Sequence, residues 1–335
     1  MKKKVISVIL IMICLLILII IYLLMSRKKN ENMHSEQEQL PIPKNIKQLG
    51  NMCSIYFSEI GISFFYGNDF SIDVIDHYDF NGYLEDDKKN TSDPFYTYLP
   101  TNIPLDKSIQ EKLLREVPEE TIKDIKKRKG THWHINNDND HKFWTIMKPV
   151  THKILSDILT KFHLNATGNQ PIIHYRCSDV PFIKSGVYYL QNFQYYNESL
   201  EKLKNNGIDV STVIIQYNTE HLSSDENTKT CNEYIKLLQE YLSSIGVKTV
   251  INSKTVLEDF AALFYAPAVI TTGSSFAFMS GFFGNGVYIS ADFHKDSKCS
   301  DCHWMTAKYN INHEDVKSYY DIDEMRDKFF SFSSS

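Results

Sequence analysis

VKTVINSKTVLEDFAALFYAPAVIT, residues 247–271, carries the reading of the fold. Val247 to Ile251 is β-branched and apolar enough for a strand, 255–265 reads as a helix, and Ala268 to Thr271 is a strand again. Two strands separated by a helix of about ten residues call for a parallel crossover, because a hairpin would need only a tight turn. The same alternation runs outward in both directions. Pro171 to His174 and 211–216 (STVIIQ) read as strands, and 229–244 carries a helical stripe at Cys231, Tyr234, Leu237, Leu238 and Leu242 that Gly246 ends. A further helix starts at Ser274, and Val287 to Ser290 forms the next strand. Residues 168–292 therefore read as a Rossmann-like α/β unit with a parallel sheet.

Before that unit the texture differs. Residues 50–103 are aromatic-rich without clear period, 106–128 reads as helix broken at Pro118, and 142–162 as a helix with a kink expected at Pro149. At the start of the chain, Val5 to Met25 holds no charge and follows Lys2, Lys3 and Lys4. About 20 apolar residues span a bilayer core. Arg27, Lys28 and Lys29 stand where a cleavage site would lie, so the run reads as an uncleaved signal-anchor dipping into the lipid bilayer through residues 5–25. Basic residues flank it on both sides, and the sequons at Asn90, Asn165 and Asn197 set the orientation: N-terminus cytosolic, remainder lumenal, as in a type II protein of the Golgi or another secretory membrane. The divisions expected are 1–30 for tip and anchor, 31–45 for a stem, 46–167 for an N-terminal, acceptor-side domain and 168–330 for the Rossmann-like domain.

Charge narrows the function. The chain has 36 Lys and Arg against 41 Asp and Glu, a net charge of −5, and the basic N-terminal flank leaves the rest more acidic still. That balance argues against a nucleic-acid partner, which wants a basic face. With 42% hydrophobic and 13% aromatic residues the chain can bury real cores. Beyond Cys14 in the apolar run lie Cys53, Cys177, Cys231, Cys299 and Cys302, an odd set whose pairing sequence does not assign. The CxxC at Cys299 and Cys302 and the HxH at His132 and His134 fall short of the four matched ligands of a zinc site, and no metal is expected. Trp133, Phe143 and Trp144 fit either sugar stacking or an aromatic core.

The chemistry gathers at two strand ends. IIHYRCSDVPF, residues 172–182, puts His174, Arg176 and Asp179 where a strand gives way to a loop. Ligands of open α/β sheets bind beyond such carboxyl ends. Alone, the triplet fits a loop-pinning Arg–Asp pair equally well. AVITTGSSFAFMSGFFG, residues 268–284, adds a small-residue turn at Gly273 and two hydroxyls, Ser274 and Ser275, at a helix start that suits a phosphate or simple N-capping. There is no Walker A sequence.

HYRCSDVPF followed by TTGSSFAF resembles the fucosyltransferase superfamily, whose α1,2-, α1,6- and protein O-linked branches share an HxRxxD-like motif and a later Ser-Ser/Thr-Phe motif. The likeness covers roughly 168–292. It implies a GT-B-like fold of two Rossmann-like domains, and inverting, metal-independent transfer of fucose from GDP-fucose to a glycan or glycoprotein acceptor. It makes Arg176 the diphosphate-binding arginine with His174 and Asp179 beside it, puts Gly273, Ser274, Ser275 and Phe276 on the phosphate-binding turn, and leaves Glu258 and Asp259 as candidates for the guanine contact. At the start of a helix those two acids equally suit the helix dipole. Cys177 and Ser178 stand where the α1,2 pattern has Arg and Gly, Gly273 where it has Asn, and its paired tryptophans are missing. A donor other than GDP-fucose, or a non-catalytic glycan-binding protein of this fold, stays compatible with the residues. No general base is evident.

Overall fold

The computed structural model describes residues 49–75, 95–128, 137–165, 168–177, 180, 182, 189–217, 224–291, 302–305 and 309–331. The expected anchor and stem, Asn90, the His132–His134 motif, Asp179 and Cys299 lie outside them. Among the described residues no helix is long and apolar enough to cross a membrane.

The first part is helical. Helix α1 (Leu49–Phe65) is buried on almost every side; a helix apolar all round belongs inside a protein rather than on its surface. Two short strands, β1 (Phe70–Ser71) and β2 (Asn102–Ile103), pair antiparallel. The break expected at Pro118 is present: α2 (Lys107–Glu116) starts at Asp106, whose carboxylate accepts from the Ser108 and Ile109 N–H groups at 2.9 and 3.1 Å, and α3 (Glu119–Lys127) starts after Pro118. Helix α4 (Asp138–Lys161) runs through Pro149 as one element, capped by Asn137. The second Rossmann-like domain expected within 46–167 has no counterpart among the described residues. In α2, α3 and α4 the buried residues recur at helical spacing and α1 is buried all round, so the described residues form a helical layer with one two-residue strand pair.

The second part alternates as expected. β3 (Ile172–His174) is followed by β4 (Leu190–Gln191), α5 (Gln194–Asn205), β5 (Thr212–Gln216), α6 (Asp225–Ser244), β6 (Lys248–Ile251), α7 (Val256–Tyr265) and β7 (Ala268–Thr271). Then come α8 (Ser275–Ala277), a π-turn (Phe278–Phe282), β8 (Val287–Ala291), β9 (Cys302–Met305), β10 (Asn310–Ile311) and α9 (Ile322–Phe330). Six strands form one parallel sheet in the order β6-β5-β3-β7-β8-β9, while β4 and β10 pair separately. β9 includes half of the CxxC motif, which sequence had not marked as a strand.

Alternation along the strands divides the sheet between two layers. Ile173, Val213, Ile215, Ile270 and Ile289 point to one side, into a core with Leu200 and Leu203 of α5, Leu238 and Leu242 of α6, and Phe329 of α9. Val269 and Tyr288 point to the other side, where they sit against Gly281 of the π-turn. On that side α1 approaches so closely that a Cβ built on Gly50 would lie 2.3 Å from the Phe276 backbone nitrogen. The N-terminal helical layer thus rests directly on the segment carrying the second motif.

Candidate functional site

The six parallel strands, numbered by their order in the chain, lie as 3-2-1-4-5-6. Crossovers to one side of the first strand and then to the other leave a crevice between strands 1 and 4, at their carboxyl ends. Those strands are β3 and β7, and both motifs leave from that point. His174 is in register with Thr271; beyond it the chain continues to Arg176, and beyond Thr271 to Gly273 and Ser274.

Several contacts join the two exits. Arg176 Nη1 donates to the Gly273 carbonyl at 3.4 Å, across 97 residues of chain. Gly273 takes φ of +91°, a left-handed conformation that a side chain would strain. The His174 ring lies 5.8 Å from that of Phe276. Burial, and then the Arg176 charge, bring the His174 imidazole down to about 4. It is neutral at ordinary pH. Ser274 is buried at the N-cap of α8, yet its hydroxyl makes no capping bond; only its carbonyl enters the helix, accepting from Phe278 N at 2.8 Å. Ser275 follows as the first residue of that helix.

The two acids upstream part company. Glu258 closes a capping box, its Oε2 accepting from Thr255 Oγ1 at 2.7 Å and from Thr255 N at 3.2 Å, and its Oε1 lies 3.9 Å from Lys254 Nζ. That is the dipole-complementing role. Asp259 instead turns inward. Its Oδ1 accepts from Lys254 N at 2.9 Å, and its own carbonyl accepts from Gln216 Nε2 at 3.1 Å, which ties it to the carboxyl end of β5. Burial pushes its carboxyl up to about 6.

A disulfide fastens the first motif. Cys177, next to Arg176, is bonded to Cys231 of α6. The bond pins the loop after β3 to a helix. Cys53 is buried and free, and burial pushes its thiol far up, out of the reactive range. Peptide mapping without reductant is expected to recover a linked pair joining the segments of residues 177 and 231, with Cys53 alkylated only after unfolding; recovery of Cys177 as a free thiol would contradict the pairing.

Of the aromatic residues that fit either sugar stacking or a core, Phe143 and Trp144 belong to the core, and Trp133 lies outside the described residues. Phe143 and Trp144 are buried, Trp144 with its ring edge-on to Phe278 and Phe283 at 5.7 Å each. Nearby, Arg128 grips the buried Asp140 at 2.9 and 3.0 Å, a structural pair that fixes the start of α4. Among the described residues no group of His, Cys, Asp and Glu is gathered closely enough to hold a metal. Gln216 and Thr271 belong to the site and went unmarked in the sequence. The available signal was a polar residue closing an apolar strand in TVIIQ and in AVIT.

No family model matches the chain, and no curated protein matches it. One solved structure that aligns is the crystal structure of POFUT1 in complex with GDP, at 12% identity and a TM-score of 0.25, covering 49% of this chain and 51% of that one. The alignment spans about half the length of either chain. At that score it carries no argument. The site stands on its own geometry.

Proposed function

We propose that the chain is a nucleotide-sugar glycosyltransferase, with the donor diphosphate lying in the crevice between β3 and β7. One observation carries this reading: Arg176 and the Gly273–Phe276 turn leave adjacent strands at the point where the strand order reverses, the arginine within hydrogen-bond reach of the turn. A guanidinium there offers a planar, permanently charged fork that matches a phosphate. The motif resemblance extends the reading to inverting, metal-independent transfer of fucose from GDP-fucose to a glycan or glycoprotein. The disulfide beside the site favours an oxidising, secretory compartment, in keeping with the apolar run at 5–25.

On this reading Arg176 meets the charge that grows on the leaving diphosphate, neutral His174 lines the crevice, and Asp259 reads the base. An ionised carboxylate can accept from both N–H groups on the guanine edge, and uracil offers no such pair. Titration calorimetry on the purified protein is expected to show GDP binding at least tenfold tighter than UDP, and Asp259→Asn is expected to erase most of that preference. The contact needs the carboxylate, so GDP affinity should fall as pH drops through about 6, where Asp259 protonates among its neighbours Glu258, Lys254 and Gln216. Equal binding of GDP and UDP by the parent would remove the base-reading role. Binding of glycans without any nucleotide would favour a non-catalytic glycan-binding protein.

A further inference from the structure

The last residues of the central strands form a row. Gln216 of β5 is in register with His174 of β3, His174 with Thr271 of β7, and Thr271 with Ser290 of β8. Registered residues of a parallel sheet share a face. One step earlier the register reads Ile215, Ile173, Ile270 and Ile289, all directed into the core on the opposite side. The sheet therefore carries a line of four polar side chains at the foot of the crevice. Three of the four are buried, Gln216 at 2% exposed, Thr271 at 0% and Ser290 at 3%, while His174 is half-buried at the crevice.

Three buried atoms in this line have no hydrogen-bond partner among the described residues: Gln216 Oε1, His174 Nδ1 and Thr271 Oγ1. Leaving three such groups dry would forfeit their hydrogen bonds to water with nothing in return. Gln216 and Thr271 flank His174 from the strands on either side, about 10 Å apart at the backbone, a span that the long Gln216 side chain and one water with two to four polar partners can bridge. Its polarity is set at one end. Gln216 gives its amide nitrogen to the Asp259 carbonyl, so Oε1 remains and can only accept. The polarity at the other end follows from charge. Nδ1 is the buried ring nitrogen, and the Arg176 charge acts on the imidazole from the crevice. A nearby cation favours a lone pair facing it over an N–H.

We propose that Gln216 and Thr271 hold an internal water that accepts from His174 Nδ1–H and donates to Gln216 Oε1, fixing His174 as the neutral Nδ1–H tautomer with the Nε2 lone pair turned to the crevice. Gln216 and Thr271 are then positioning residues acting through His174. The lone pair accepts a hydrogen bond from a ligand hydroxyl; that last clause rests on the nucleotide-sugar reading, with a ribose or sugar hydroxyl as the group received, while the tautomer does not.

The test is long-range ¹H–¹⁵N correlation on the full chain labelled with ¹⁵N-histidine, the His174 signals being identified by their loss in His174→Gln. Between pH 6 and 8 the parent is expected to show the Nδ1–H pattern. Thr271→Val, which keeps shape and removes the hydroxyl, and Gln216→Met, which removes the acceptor, should each shift the signals toward a mixture or the Nε2–H form. Thr271→Ser should restore the parent pattern. An Nε2–H pattern in the parent, or one unmoved by both Thr271→Val and Gln216→Met, overturns the proposal. Adding GDP-fucose should move the Nε2 resonance; if the parent binds no nucleotide while the tautomer results hold, the nucleotide-sugar reading fails and the water relay stands.

Discussion

Arg176→Ala is expected to lower sugar transfer about a hundredfold, a loss of roughly 3 kcal/mol in transition-state stabilisation, with a far smaller effect on the folded state. The charge on a departing nucleoside diphosphate is greatest after the sugar bond has begun to break, so a cation placed in the crevice acts on the barrier more than on the bound ground state. Arg176→Lys should fail nearly as badly. Lysine keeps the charge but cannot hold the Gly273 carbonyl and a phosphate oxygen through one planar fork. Steady-state kinetics on protein shown to be folded by thermal melting decides the matter. Transfer by Arg176→Ala within a few-fold of the parent would remove the arginine from the reaction and with it the main support for the diphosphate site.

The second large effect is on stability. Gly50→Ala is expected to destabilise the fold by about 3 kcal/mol, the upper range for overpacking a core. The added methyl would meet the Phe276 nitrogen at 2.3 Å, the Ser275 carbonyl carbon at 2.5 Å and the Phe276 Cα at 2.6 Å. All three are backbone atoms, so no side chain can swing aside. Either α1 retreats from the sheet or the motif turn shifts. A melting temperature lower by several degrees is expected, and a melt matching the parent would show that the close contact between α1 and the turn is not held in solution.

Much of the C-terminal sheet was legible because its physics is local. Val247 to Ile251 and Ala268 to Thr271 announce strands through β-branching, and Pro118 announces a break through a missing N–H. The two motifs were also legible as strand exits, since the order of strand, turn and helix places them there. The rest depends on contacts between distant residues. No spacing rule brings Cys177 to Cys231, and Gly50 looks like an ordinary small residue in an apolar helix until Phe276 is packed on it. Glu258 and Asp259 show the boundary between the two kinds of information. The Thr255-x-x-Glu258 spacing signals a capping box, which assigns Glu258 locally, whereas the inward turn of Asp259 becomes visible only once β5 lies alongside. Residues 50–65 gave no clear period for a related reason: a helix buried on all sides carries no amphipathic stripe, so its length of apolar sequence does not declare its period.

The strand order also sets a timetable. β3 is the first strand of the sheet to leave the ribosome and ends up in the middle, with a neighbour on either side that has not yet been made. Its disulfide partner follows 54 residues later, but the carbonyl that Arg176 holds follows 97 residues later. A nascent chain in an oxidising lumen can therefore latch its first motif to α6 before the second motif exists. The bond keeps an exposed central strand end from wandering during the interval when long-range pairing is still unavailable. A chain made where thiols stay reduced would have to find β7 without that latch, so the choice of expression host bears on whether the crevice is assembled at all.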